Sequence, residues 1–168
     1  IPILHTKVSN KWNAIGKIKN SIRLTEDEVI FFFEIEKNKN NGKKVVGADQ
    51  GLITCLSLSD GQVTQVDKHG HDLKSIIAKL SKKRKGSKSF RRTQDHRKNY
   101  INWSINQLNF DNVKELRLEK LINVRKGRSS NRNLSHWTYT LIKDKLIMLS
   151  EIKGFSFVEQ DNKFRSQR

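Results

Sequence analysis

Val45-Val46-Gly47-Ala48-Asp49-Gln50-Gly51 reads as a strand that climbs through β-branched residues, delivers one carboxylate at its end and turns on a glycine. The apolar run continues over residues 52–58 and stops at Asp60-Gly61, a dipeptide that favours a tight hairpin turn because both residues tolerate positive φ. The expectation is a strand over 45–49, a second over 52–58 paired to it, and a third over about 62–66. An acid held at a strand end, beside backbone that can come close to a ligand, suits a divalent cation.

Downstream, Leu73, Ile76, Ile77 and Leu80 recur at helical spacing, which predicts a helix from about Asp72. A basic stretch follows, with Gly86-Ser87 expected to interrupt the helix. A second helical region carries Ile101, Ile105 and Leu108 on one face. Residues 113–119 form the next expected strand. Its period of two puts Leu116 and Leu118 on one face and Glu115, Arg117 and Glu119 on the other. After a polar loop over 123–133, Ser135 is a good N-cap for a helix whose apolar stripe is Trp137, Leu141, Ile142, Leu146 and Leu149. Gly154 suits its C-terminal stop, and 155–159 is the last strand. The order β-β-β-α-β-α-β, with acids at strand ends, is that of an α/β domain of the RNase H-like type, a mixed sheet with flanking helices. Upstream of it, 14–24 and 29–35 read as a β-hairpin turning at Thr25-Glu26-Asp27, part of a separate small β domain. Residues 38–44 read as a linker, so the expected division is 1–37, 38–44 and 45–168.

The balance of charge narrows the partners. The 168 residues carry 34 Lys and Arg against 17 Asp and Glu, a formal net charge of +17. Such an excess says little about fold and much about affinity for polyanions. The apolar share, 35%, is low for a globular chain, yet the periodic segments argue for a packed core. A single cysteine, Cys55, lies in an apolar run and reads as a small buried residue; it excludes an internal disulfide and fits a reducing, cytoplasmic setting. No signal peptide or bilayer-spanning run is present in this sequence. The chain opens on Ile1-Pro2 and stops at Arg168 just after a strand-like segment, as expected of a piece of a longer protein.

Three constellations bear chemistry. The first is Asp49 with Glu119. Two-metal phosphodiester hydrolysis needs carboxylates converging on ions roughly 4 Å apart, and acids at the ends of neighbouring strands converge though far apart in sequence. From spacing alone, a turn-forming Asp49 and a solvated Glu119 are the simpler reading. The second is the basic stretch 78–98, with ten Lys or Arg (Lys79, Lys82, Lys83, Arg84, Lys85, Lys88, Arg91, Arg92, Arg97, Lys98) against one acid, Asp95. So dense and one-signed an excess favours phosphate contact over a merely solvated face. Phe90, Tyr100 and Trp103 could stack on bases, though their spacing suits core anchors. The third is the loop 123–133, where Arg125, Lys126, Arg128 and Arg132 stand without an acid; a nucleic-acid contact and a plain surface loop fit it equally. The histidines show no metal-ligand spacing with cysteine. His69-Gly70-His71 could catch a metal, and reads more simply as the loop before the first core helix.

Taken together these residues resemble the TnpB (OrfB) family, transposon-encoded RNA-guided nucleases related to the type V CRISPR effectors. Gly16-Lys17-Ile18-Lys19 and its hairpin look like the end of the family's wedge (oligonucleotide-binding) domain. Gly47-Ala48-Asp49-Gln50-Gly51 with Leu58-Ser59-Asp60-Gly61 looks like the first RuvC motif, and Leu118-Glu119-Lys120-Leu121 like the second. Leu80-Ser81-Lys82-Lys83 through Lys85-Gly86-Ser87-Lys88 is similar to the basic helical insert. Phe164-Arg165-Ser166-Gln167 looks like the lead-in to a zinc ribbon. The resemblance implies Asp49 and Glu119 as catalytic, metal-holding acids, with Mg2+ or Mn2+ as the cofactor. DNA and a guide RNA are the implied partners, and structural Zn2+ is expected only beyond this chain. Nucleic acid would be met by Lys82, Lys83, Arg84, Lys85, Lys88, Arg91, Arg92, Arg97, Lys98, Arg125, Lys126 and Arg128. The chain departs from the pattern at Lys120, where the family usually has Asp or Asn. Two rival functions share the same fold: a non-catalytic nucleic-acid binder derived from a transposase, and a DNA strand-transferase.

Overall fold

A computed structural model describes residues 6–36, 40–121, 136 and 138–161. The chain divides into two compact units, residues 1–38 and 39–168. The first unit opens with a helix, α1 (Lys7–Ile15), capped by reciprocal hydrogen bonds between Thr6 and Ser9. The expected strand over 14–24 took the end of this helix, although Val8, Trp12 and Ile15 stand at helical spacing behind the cap. An antiparallel hairpin follows, β1 (Lys17–Leu24) and β2 (Val29–Glu34). Its turn lies where expected, closed by the Thr25 N–H donating to the Glu28 carbonyl at 2.9 Å. β1 starts later than residue 14, since α1 takes the preceding residues. Trp12 stacks on Phe33 at a centroid distance of 6.2 Å, tying helix to hairpin.

The second unit is a mixed α/β domain. β3 (Lys44–Asp49) lies between β4 (Ser57–Leu58) and β5 (Val113–Glu119), and β6 (Ser156–Gln160) flanks β5. β3 pairs antiparallel with β4 and parallel with β5, and β5 pairs parallel with β6. The helices are α2 (Leu73–Ser81), α3 (Lys88–Asn106) and α4 (Tyr139–Lys153). Residues 40–44 are not a free linker. The Asn40 side chain donates to the Val113 carbonyl, and the Lys44 N–H to the Asn112 carbonyl at 3.1 Å, so the chain is docked before β3 begins.

Two expected strands are much reduced. Residues 52–55 bend instead of extending, because the Gly51 N–H closes a turn on the Thr54 carbonyl at 3.1 Å. Cys55 and Leu56 are buried all the same. The third strand shrinks to one bridge, Ser57 with Val63, flanked by hydrogen bonds from Leu58 N–H to the Gln62 carbonyl and from Thr64 N–H to the Leu56 carbonyl. The turn at Asp60-Gly61 forms as read, with Gly61 at φ +92.

The helices follow their signals closely. Asp72 and Ser75 make a reciprocal cap on α2, and Leu73, Ile76, Ile77 and Leu80 are all buried. Gly86, at φ +80, breaks the chain, and Ser87 caps α3 by accepting from the Phe90 N–H. α4 begins at Tyr139, later than a Ser135 start; Ser135 and Trp137 lie outside the described residues. Leu116 and Leu118 of β5 are buried in one cluster with Ile101, Ile105, Ile142 and Leu146, one face of the strand as its alternation required. Each fully buried Leu or Ile side chain contributes about 1.5–3 kcal/mol relative to exposure. Among the described residues no helix is long and apolar enough to cross a membrane.

Cys55 is fully buried in this core, and burial pushes its thiol up to about 12, against a smaller lowering by the Ser104 hydroxyl. The folded value lies above the unfolded value near 9. The stability from keeping the thiol neutral is therefore complete below pH 9 and is lost as pH rises toward 12. The native thiol is expected to resist a disulfide reagent at pH 8 and to react at the free-thiol rate in guanidinium. Rapid labelling of the native protein would contradict its burial.

Candidate carboxylate site and basic surface

The register of the sheet brings the two acids of the first constellation to one edge. Ala48 pairs with Leu118 across the parallel β3–β5 ladder, so Asp49 and Glu119 end neighbouring strands at the same level. Glu119 pairs with Gln160 of β6, and Asp49 with Ser57 of β4. The C-terminal strand ends thus form the floor of an open concavity of about 510 Å³ lined by Asp49, Ser57, Ser59, Arg117, Glu119 and Asp161. Ser59 fastens this edge: its hydroxyl accepts from the Gly47 N–H at 2.9 Å, and its own N–H donates to the Gly47 carbonyl at 2.8 Å. The Asp49 side chain is exposed and that of Glu119 is half-buried, so both can reach a ligand in the concavity.

The same concavity holds Asp161, a third carboxylate that the sequence reading passed over. Its signal was an acid two residues past the end of an expected strand, close to the strand-end placement of Asp49 and Glu119. Lys120 Nζ lies 3.0 Å from Asp161 Oδ1, so this cation is engaged with the third acid. Arg117 donates through Nε to Glu115 Oε1 at 2.6 Å, which holds the guanidinium along its own strand. Beyond the edge, Gln50 is buried with no hydrogen-bond partner for Oε1 among the described residues; it lines a smaller hollow with Lys120, Tyr139 and Lys143.

The basic stretch spans the end of α2, the turn at Gly86 and the first half of α3. α3 buries Phe90, Thr93, Arg97, Tyr100 and Ile101 along one side. Lys88, Arg91, Arg92 and Lys98 stand exposed, as do Lys82, Arg84 and Lys85 before the helix, and Lys83 is half-buried. Among the described residues no carboxylate pairs with any of the seven exposed cations, which leaves their charge to solution. Arg97 does not join them. It is 7% exposed, and its guanidinium donates to the His136 carbonyl, tying α3 to the segment before α4. Helical spacing from Phe90, Thr93, Tyr100 and Ile101 puts position 97 on the buried face, a constraint that its charge obscured. Phe90 and Tyr100 are core residues, whereas Trp103 is partly exposed. Arg125, Lys126 and Arg128 lie outside the described residues.

A second cluster of donors was not foreseen as a set. Asp67, His71 and His96 offer ligand atoms that all lie within 4.8 Å of one another. The backbone N–H of His71 is the main cause holding the Asp67 carboxyl below the ordinary carboxylate range, helped by the His69 N–H against the effect of burial. Burial, followed by the charge of His71, holds His96 below the ordinary imidazole value. His69-Gly70-His71 is the loop before α2 that the sequence suggested. The third member comes from α3, and that long-range pairing has no signature in local spacing. No protein-family model and no curated protein matches the chain.

Proposed function

We propose that the chain is the nuclease core of a TnpB-like, RNA-guided DNA endonuclease, an RNase H-like domain that hydrolyses phosphodiesters. The observation that carries this reading is the register that ends β3 and β5 on Asp49 and Glu119 at one concavity. The strand order β4-β3-β5-β6, with one antiparallel pair followed by two parallel ones, supports it, as do the seven exposed cations that no carboxylate among the described residues pairs with.

The donor set at the concavity fits a hard divalent cation. Asp49, Glu119 and Asp161 present carboxylate oxygens, Ser57 and Ser59 add hydroxyls, and among the described residues no sulfur or imidazole lines it. Asp49 and Glu119 are the residues that would hold Mg2+ or Mn2+. When bound, such an ion supplies charge for the phosphoryl oxygens and a lowered pKa for water. The chain's own part is to fix the two acids on neighbouring strands, where their geometry is set by main-chain pairing and not by loop conformation. Ser59 locks β3 through Gly47, and Lys120 neutralises Asp161, which limits repulsion among three acids brought to one edge. The exposed cations of α3 and the preceding turn would track phosphates of the guide–target duplex or of the strand being cut.

Cleavage of a labelled single strand by the guide-loaded parent protein tests this reading. Product is expected with Mg2+ or Mn2+ and none after chelation. A parent that binds DNA but never cuts it under either metal would move the assignment to a non-catalytic binder of the same fold. The Lys120–Asp161 ion pair is the observation favouring that second reading, since it occupies one of the three acids. Joined strands in place of cut ones would indicate strand transfer.

A further inference from the structure

We propose that Asp67, His71 and His96 form a structural site for a zinc-class divalent metal, separate from the Asp49–Glu119 concavity, that fastens the loop before α2 to α3. The loop is built for it. Asp67 Oδ1 accepts from the backbone N–H groups of His69 at 2.8 Å and His71 at 2.9 Å, which fixes the carboxylate and leaves Oδ2 free to face the imidazoles. The main chain closes on itself, with the Gly70 N–H donating to the Asp67 carbonyl and the Asp67 N–H to the His71 carbonyl, both at 2.9 Å. Across from it, Tyr100 donates its hydroxyl to the Gln65 carbonyl at 3.0 Å, holding α3 and His96 against the loop.

The distances suit a small tetrahedral ion. Bonds of about 2.0–2.1 Å set tetrahedral donors roughly 3.3 Å apart. Asp67 Oδ2 lies 3.3 Å from His71 Nδ1 and 3.9 Å from His96 Nε2, and all three donors lie within 4.8 Å of one another. The two imidazoles meet edge to face, with centroids 5.1 Å apart. Imidazole nitrogen selects zinc-class metals over Mg2+, the reverse of the preference of the carboxylate concavity. The side chains of His71 and Asp67 are 35% and 16% exposed, so an ion can enter from solvent. A fourth position is left for water or for His69, whose ring lies 6.2 Å from that of His71. No residue of this cluster lines the concavity that holds Asp49.

Titration of the metal-free 168-residue chain with Zn2+, followed by calorimetry, tests the site. One equivalent is expected to bind and to raise the thermal midpoint. His96→Ala is expected to weaken Zn2+ binding by on the order of 100-fold or more, and Asp49→Ala to leave it unchanged. Co2+ added to the unaltered chain is expected to broaden the imidazole proton resonances of His71 and His96, a readout independent of any variant's folding. Failure to bind Zn2+, Zn2+ affinity unchanged in His96→Ala, or Co2+ broadening confined to other residues would each overturn the proposal.

Discussion

Asp49→Ala is expected to lower Mg2+-dependent cleavage by the parent protein by on the order of 10³-fold while leaving nucleic-acid affinity within about twofold. Metal stabilisation of a phosphoryl transition state is worth several kcal/mol, and each ~1.4 kcal/mol is a factor of ten in rate. Asp49 ends β3 level with Glu119, so its loss removes half of the strand-end pair at once. The carboxylate is exposed and carries none of the core, so the fold should tolerate its removal. Binding should persist because the cations on α3 and at the Gly86 turn are separate in sequence from the strand end. Glu119→Ala should behave alike in cleavage. A double variant no slower than either single one would mark the two acids as parts of one metal site. Metal-dependent cleavage that survives Asp49→Ala would remove the basis of the assignment.

Nucleic-acid affinity of the chain is expected to fall by on the order of 10³-fold between ~50 and ~200 mM salt, if about six phosphates are neutralised. The surface justifies that number: Lys82, Arg84, Lys85, Lys88, Arg91, Arg92 and Lys98 are exposed and unpaired with carboxylates among the described residues. Replacing Arg91 and Arg92 together by alanine should lower the slope of log affinity against log salt by about two. Arg97→Ala provides the contrast. Its side chain is buried and bonded to the His136 carbonyl, so it should reduce stability and leave the salt slope nearly unaltered. A flat salt dependence would argue that the basic face serves something other than phosphate.

Much of this arrangement was visible in one dimension because its causes are local. The cap at Asp72, the stripe Leu73, Ile76, Ile77 and Leu80, and the break at Gly86-Ser87 are each decided within a few residues. The alternation of Leu116 and Leu118 against Glu115, Arg117 and Glu119 assigns the faces of β5 without reference to the rest of the chain. What escaped notice is long-range or hidden by charge. Residues 52–54 have strand composition, yet one hydrogen bond from Gly51 makes them a turn. α1 carries a cap and Val8, Trp12 and Ile15 at helical spacing, a short signal that the strand pattern read from residue 14 onward overrode. Arg97 looked like its basic neighbours until the helix face buried it. Asp161 reaches the concavity only through the β5–β6 register, and His96 meets Asp67 and His71 only through the packing of α3. Local rules place residues on elements, while the meeting of distant side chains is decided by the packing of those elements together.

The most direct test of the carboxylate site is anomalous scattering from Mn2+ in crystals of the protein bound to a DNA strand. Mn2+ accepts the oxygen donors that Mg2+ uses and can be located without reference to activity. The expected result is an ion held by the carboxylates of Asp49 and Glu119, with the phosphate backbone against it. Saturating Mn2+ that leaves both carboxylates without an ion would contradict the account.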